Sequence, residues 1–471
     1  MSTKIPTHDH SPDATVQLYS KRTKIHPRSI QGRFEVLRKL GAYGFLLLFV
    51  GVAWIQWQGR QGLLFDLPHR RFYLFGLTIW PQDLILLSWF LIIAAFVLFA
   101  VTVFAGRVWC GYTCPQTIWT KIFIAIENFI EGDRNARMRL DKADLTWNKV
   151  WRRGLKHLGW IGVSFLTGMV FVGYFAPIRE LIPALLHGQA NASEWTWIGI
   201  FTAATYVNAG WMREQICMYA CPYGRFQSVM FDRDTLIISY DHARGEPRGA
   251  RKRDADPRAQ ALGDCIDCQL CVQVCPTGID IRDGLQFECI ACAACIDACD
   301  KVMEQMGYAP GLVRYTSENA LEHGQHTHIL RPRLLGYSAA ISVMIGLMVY
   351  DIATRPPVGL DVIRDRNALY RETSDGDIEN SYILNVMNKS QQPEHVDLSF
   401  SHMPQGTKME GRQSILLQPG EMRSVTETLD EDPDDLKNNA VHMDFHARVE
   451  EDPGVDVDSP SRFFAPYQHR N

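Results

Sequence analysis

Apolar residues are arranged in two different ways along this chain. Up to about residue 350 they come in long uncharged runs; beyond it they alternate with polar residues. Five runs stand out, Leu40 to Trp57, Leu84 to Ala105, Leu158 to Ala176, Trp195 to Met212, and Leu334 to Tyr350. Each is long enough for a helix to cross a bilayer core and carries no Lys, Arg, Asp or Glu. Buried core helices are usually shorter and interrupted by charge, so the pattern predicts five transmembrane helices. Trp57, Trp160, Trp195 and Trp211 at their ends fit an interfacial aromatic belt. The loop from Leu63 to Asp83 alternates through Phe72, Leu74 and Phe75, which predicts a short hairpin on the membrane surface. From Leu360 onward, alternation in Val396, Leu398, Phe400 and again in Val441, Met443, Phe445, Ala447, Val449, with Gln418-Pro419-Gly420 as a turn, predicts a cysteine-free immunoglobulin-like sandwich.

Charge gives these runs a direction. Eight Lys and Arg precede the first run and ten lie between Arg107 and Lys156, against three from Gly59 to Asp83 and one from Pro177 to Glu194. The positive-inside bias therefore places the N-terminus and the second and cluster-bearing fourth connections in the cytoplasm, and five crossings leave the C-terminus outside. The first 39 residues are polar, so the first run itself is the expected insertion signal. The basic residues Arg134, Arg137 and Arg139, and the run Arg251-Lys252-Arg253, read as faces on solvent or lipid headgroups in preference to nucleic-acid contacts.

The candidate chemistry lies in the twelve cysteines. Cys265, Cys268, Cys271 and Cys275, then Cys289, Cys292, Cys295 and Cys299, repeat the spacing C-x2-C-x2-C-x3-C. That is the ligand rhythm of a bacterial-type ferredoxin holding two 4Fe-4S clusters, in which each run gives its fourth thiolate to the other cluster. The grouping is then Cys265, Cys268, Cys271 and Cys299 for one, and Cys289, Cys292, Cys295 and Cys275 for the other. Zinc sites rarely string four cysteines in this rhythm, and disulfides are disfavoured in the cytoplasm. Asp300 follows the second run where Pro276 follows the first.

A second repeat, C-x-Y-x-C-P, closes the second and fourth runs, as Cys110-Gly-Tyr112-Thr-Cys114-Pro115 and Cys217-Met-Tyr219-Ala-Cys221-Pro222. Proline suits the first turn of a helix, so Cys114 and Cys221 are expected at helix N-termini, where the dipole favours a thiolate. Cys110 and Cys217 lie one turn earlier, so each pair could face one ion. Four buried structural thiols are the bland reading, but two matched pairs at the same membrane face argue against it and for a functional site; the spacing alone names no metal. His8, His10, His323, His326 and His328 read as solvated tail or linker residues. His442, Asp444 and His446 share the outward face of one strand, which reads as polar surface before it reads as a metal site.

Together these motifs resemble the CcoG (FixG, RdxA) family of cytochrome oxidase accessory proteins. The resemblance runs from about Arg33 to the end and includes Phe65-Asp66-Leu67-Pro68, Trp80-Pro81-Gln82-Asp83, both C-x3-C-P pairs, Arg244-Gly245-Glu246-Pro247-Arg248-Gly249, both cluster runs, and Arg314 to Leu321. It implies an α-helical integral membrane protein of five transmembrane helices, with an inserted bacterial-type two-cluster ferredoxin domain and a C-terminal immunoglobulin-like β-sandwich. The expected division is a basic arm over 1–39, a membrane domain over 40–233, the cluster domain over 234–333, a fifth helix over 334–352 and the outer domain over 360–471. The resemblance also implies a cupric reductase that uses Cys110, Cys114, Cys217 and Cys221 as its copper site. Cu(I) would then pass to a transporter or chaperone and to assembly factors of a cbb-type oxidase. Paired C-x3-C-P motifs with a polyferredoxin also occur in quinol-linked proteins of nitrate and nitrous oxide respiration. An electron conduit of that kind, or a non-redox copper chaperone or scaffold, therefore remains open, as does homodimerisation.

Overall fold

The structure, a computed structural model, describes residues 24–253, 261–324, 327–328, 330–366, 368–436, 438–452 and 454–466. His8, His10 and His326 lie outside the described residues. Among the described residues, four helices are long and apolar enough, by length and composition, to cross a membrane: Arg33–Trp54, Pro81–Ala105, Trp147–Val172 and Pro332–Ala353. The run from Trp195 to Met212, expected as the fourth of five transmembrane helices, is not one uniform α-helix. It is a 14-residue α-helix, Ala192–Thr205, started by a reciprocal cap between Asn191 and Glu194, and it continues as a seven-residue π-helix, Tyr206–Met212. The wider turn leaves Gly210 facing an aromatic ring; a side chain there would sit 3.0 Å from the Trp160 indole.

The chain divides into two compact units, each assembled from several segments. One comprises residues 41–104, 161–207 and 328–471. Its loop over 63–83 forms a three-stranded antiparallel sheet, Leu63–Asp66, Arg71–Leu74 and Leu77–Ile79, one strand more than the expected hairpin. Phe75, in the left-handed region at φ 52°, and Gly76 turn the chain back for the third strand. Asp83 caps the next turn by accepting the Trp80 amide at 3.1 Å, and it pairs with Lys389 at 2.9 Å and with Arg355. One carboxylate thereby ties the sheet to the C-terminal domain.

That domain is a sandwich of two antiparallel sheets. The first runs in the order 408–410, 422–431, 378–388, 358–364, with 371–372 beside 378–388; the second runs 414–417, 394–401, 440–449, 456–464. Alternate residues point inward, as the sequence pattern requires: Met443, Phe445, Ala447 and Val449 are all buried. Tyr382 and Phe445 meet edge to face at 5.0 Å across the core, and the Tyr382 hydroxyl donates to the Arg462 carbonyl.

The other unit comprises the described residues up to Leu40, with 105–160 and 208–327. Here Arg137 departs from its expected place on a headgroup-facing surface. It is only 1% exposed and donates to Glu127 at 3.0 Å. Glu127 also pairs with Arg213 at 2.7 Å, and Lys156 with Glu131 at 2.9 Å. A buried charge needs such partners, and Glu127 on the Pro115–Glu131 helix is the carboxylate that requires Arg137. Trp160 likewise lies inside and not in an interfacial belt: it stacks on Phe123 at 5.3 Å, with Lys156 and Arg213 over its ring. Periodicity does not disclose these partners: Trp160 lies 37 positions from Phe123, and the carboxylate that Arg137 meets ten positions away also takes an arginine 86 positions off.

Replacing Phe445 by Ala leaves a cavity between the two sheets and should cost about 3–5 kcal/mol, read as a lower unfolding midpoint of the β-sheet signal; an unchanged midpoint would contradict this core.

Candidate iron-sulfur and thiolate site

Proline sets the two C-x3-C-P loops. Cys114 and Cys221 hold extended backbone angles and immediately precede the helices Pro115–Glu131 and Pro222–Met230. Each loop closes the same way, with the amide of its second cysteine donating to a carbonyl five residues back: Cys114 to Trp109 at 2.9 Å and Cys221 to Ile216 at 2.8 Å. The first cysteines differ in setting. Cys110 lies on a short α-helix, Val108–Tyr112, and Cys217 on a π-helical turn, Ile216–Ala220.

The four sulfurs share one neighbourhood. Burial pushes the Cys217 thiol up to about 12, and negative charge on Cys114, Cys110 or Cys221 raises it further. Burial also raises Cys110, against a Gln227 amide donor 3.5 Å from its sulfur and the nearby Arg107 guanidinium. At Cys114 burial raises the thiol while the amides of Thr117 and Gln116 lower it, so the lowering expected at a helix N-terminus is opposed by desolvation. Among the described residues no three His, Cys, Asp or Glu side chains close on a single ion. The donor set is all sulfur, which suits a soft ion.

The ferredoxin-like cysteines fall into two groups. Cys265, Cys268, Cys271 and Cys299 line one small cavity, with Tyr240, Val302 and Leu312. Cys275, Cys289, Cys292 and Cys295 line another, which Cys271 also borders, with Ile238 and Ile281. The two runs repeat a backbone signature: Asp267 and Gln269 in the first, Ala291 and Ala293 in the second, all at φ between 49° and 59°. Four non-glycine residues held left-handed are a costly conformation that turns successive cysteines inward. The four-thiol sets and apolar walls fit 4Fe-4S clusters. Burial lifts Cys271 to about 11 and Cys289 and Cys299 to about 12, so binding iron has to displace protons.

The two features meet at backbone contact. A side chain on Gly111, between Cys110 and Tyr112, would lie 2.8 Å from the Cys292 Cα and the Ile290 carbonyl oxygen, and 2.9 Å from that of Ala291. Arg107 donates to the Phe287 carbonyl, and the Tyr112 hydroxyl lies 3.2 Å from that of Tyr315, which donates to Ala291 at 2.6 Å. From the N-terminal side, Arg38 donates to the Cys292 carbonyl. Asp297, on the Ala294–Met306 helix, accepts the Phe34 and Glu35 amides at 3.1 and 2.8 Å and so caps the first long helix. Sequence reasoning missed Arg38, Arg107, Asp297 and Tyr315 as parts of this site. The only signal was position, with Arg107 three residues before Cys110.

The histidine candidates do not join it. His323 ends a short helix, and His328 lies in a loop. In the outer domain Asp444 pairs with His402 at 3.0 Å and His446 bonds Ser401 at 2.8 Å, while exposed His442 stands opposite Arg462.

Comparison with known proteins adds independent findings. A profile described as a 4Fe-4S dicluster domain matches residues 212–318, a 4Fe-4S binding domain matches 87–126, and an IG-like fold at the C-terminus of FixG matches 348–466. Over 445 residues the chain is 37% identical to the nitrogen fixation protein FixG of Rhizobium meliloti (strain 1021), covering 87% of this chain and 84% of that one. It is 41% identical over 386 residues to the protein RdxA of Cereibacter sphaeroides, covering 79% and 81% respectively. A crystal structure of a FixG-related protein from Vibrio parahaemolyticus matches 23% of this chain and 95% of that one, at 32% identity and a TM-score of 0.22.

Because Gly111 lies directly against the backbone of residues 290–292, Gly111→Val should displace the Cys289–Cys292 loop and lower iron and acid-labile sulfide by about half, one cluster of two; full iron content with an unchanged spectrum would refute that contact.

Proposed function

We propose that this chain, which belongs to the FixG and RdxA family, is a membrane-bound iron-sulfur oxidoreductase that reduces Cu(II) to Cu(I) for assembly of the copper centre of a cbb-type cytochrome c oxidase. The observation that carries this reading is the seating of Gly111 on the Ile290–Cys292 backbone, where a side chain at 111 would have no room. Cys265, Cys268, Cys271 and Cys299 hold one 4Fe-4S cluster, and Cys275, Cys289, Cys292 and Cys295 the other. When bound, the clusters supply one-electron carriers. Arg107 and Arg38 fix the second cluster loop by its carbonyls, and Asp297 fixes the start of the first long helix beside it.

Cys110, Cys114, Cys217 and Cys221 receive the cupric ion. Thiolates are soft donors that hold Cu(I) in preference to Cu(II). Each tenfold preference raises the potential of the bound couple by about 59 mV. One electron converts Cu(II) to Cu(I), and the ion leaves to a copper transporter or chaperone. The reading also keeps five membrane crossings, counting the composite α and π run as the fourth, with the N-terminus and clusters in the cytoplasm and the sandwich in the periplasm of a bacterial inner membrane. A second reading, a conduit that passes electrons to another reductase, is favoured by the 4Fe-4S profile over residues 87–126, which contains Cys110 and Cys114. The two differ in whether the four thiols bind copper.

Replacing Cys110, Cys114, Cys217 and Cys221 together by Ser should abolish Cu(I) binding and slow Cu(II) reduction by about tenfold or more, with iron and sulfide content unchanged. Reduction at the original rate with both clusters present would reject the copper site.

A further inference from the structure

Four buried cations in the unit that holds the cysteines have a carboxylate partner: Arg38 pairs with Glu35 at 2.6 Å, Arg137 with Glu127 at 3.0 Å, Lys156 with Glu131 at 2.9 Å and Arg213 with Glu127 at 2.7 Å. Arg107 does not. It is 5% exposed, it pairs with no carboxylate among the described residues, and its Nε has no hydrogen-bond partner. Its guanidinium reaches carbonyl oxygens only, that of Phe287 and, at 3.4 Å, that of Cys289. Two carbonyl dipoles do not cancel a buried unit charge, so the guanidinium calls for an anion that no carboxylate supplies.

Arg107 lies where three loops meet. It precedes Cys110 by three residues, and it donates into the cluster loop at Phe287 and Cys289. It also abuts the second thiol loop: a side chain on Gly224, three residues after Cys221, would lie 2.7 Å from the Arg107 Nη2 and 2.8 Å from the Cys217 carbonyl oxygen. The groups on which its charge acts are thiols. Burial raises Cys110, Cys217 and Cys289, and Arg107 opposes that rise at all three. Both kinds of site gain negative charge in use. Cu(I) brings one positive charge and displaces protons from more than one thiol, and a cluster that accepts an electron gains a full negative charge.

We propose that Arg107 is the shared counter-charge of two anionic centres, the cluster held by Cys275, Cys289, Cys292 and Cys295 and the copper thiolates of the C-x3-C-P loops; the proposal rests on the oxidoreductase reading above. Arg107 is then a positioning residue for the electron. In the step one electron leaves the reduced cluster, which is oxidised, and Cu(II) becomes Cu(I). The negative charge that moves stays within reach of one fixed cation throughout, so no second group has to reorganise to receive it.

The test uses anaerobically purified full-length protein with its clusters, in detergent, as wild type, Arg107→Gln and Arg107→Lys. Gln keeps a donor for the loop carbonyls and loses the charge; Lys keeps the charge and loses the planar fork. In a redox titration followed by electron paramagnetic resonance, Arg107→Gln should shift one of the two clusters about tenfold toward its oxidised form, the scale of one lost opposite charge nearby. That is a potential about 59 mV lower, with the other cluster unmoved. Competition with a Cu(I) chelator should show Cu(I) held about tenfold more weakly by Arg107→Gln, and Arg107→Lys should stay close to wild type in both measurements. Iron and acid-labile sulfide are counted first. If Arg107→Gln loses a cluster, Arg107→Lys decides: a potential near wild type supports the counter-charge, and a tenfold shift despite the retained charge overturns it. An unmoved cluster potential or Cu(I) affinity in Arg107→Gln, or equal shifts in both variants, overturns it as well. Wild-type protein that binds no Cu(I) rejects the copper reading instead, and Arg107 is then judged by the cluster potential alone.

Discussion

The arrangement depends on one close approach, the backbone of Gly111 against the backbone of residues 290–292. At 2.8 to 2.9 Å from the position of a missing Cβ there is no room for any side chain, so the first thiol loop and the cluster loop touch main chain to main chain. Everything around the contact serves to hold it. Arg107 and Arg38 reach the loop carbonyls from two earlier segments of the chain, and Tyr112 and Tyr315 form a hydrogen-bonded chain to Ala291. Buried carbonyls would otherwise need water, and these donors meet that need without admitting it.

Holding the second thiol pair beside the first is a separate problem, and buried charge is part of the solution. Gln116, in the first turn after Cys114, donates to the Asn208 and Arg213 carbonyls, while Glu127 further along the same helix grips Arg213. Arg213 itself sits in the left-handed region at φ 48°, immediately after the π-helix that ends at Met212. The widened turn and the strained arginine change the direction of the chain so that Ile216–Ala220 returns to the helix starting at Pro115. A uniform α-helix through this stretch would lack that change of course.

Much of this was legible in the sequence because it depends on local rules. Uncharged length marked four long helices, alternation marked the sandwich strands, proline after cysteine marked the two helix starts, and the cysteine rhythm anticipated the two groups that surround separate cavities. What escaped was decided by tertiary partners that hydropathy does not mark. Arg137 reads as surface until Glu127 is seen beside it, and Trp160 reads as an interfacial residue until Phe123 and Arg213 cover it. The third strand near Gly76 and the π-helical turn depend on backbone angles that hydropathy does not encode. At Cys114 the helix-terminus amides act to lower the thiol, but burial acts against them, a tertiary effect that the motif does not encode.

The two C-x-Y-x-C-P loops are a duplication whose halves have diverged in what they face. In the first, Gly111 and Tyr112 are committed to the cluster loop, and Cys110 is buried. In the second, the equivalent tyrosine, Tyr219, is 73% exposed, and the side chains of Phe226 and Val229 on the following helix are exposed as well. A glycine in one copy and a methionine in the other, at positions 111 and 218, is the sequence trace of this difference: only the copy that must meet another backbone gives up its side chain. The pair therefore has an inner face tied to the cluster loop and an outer face that is not. That polarity follows from packing alone, because the local turn, with its amide-to-carbonyl bond across five residues, is the same in both copies.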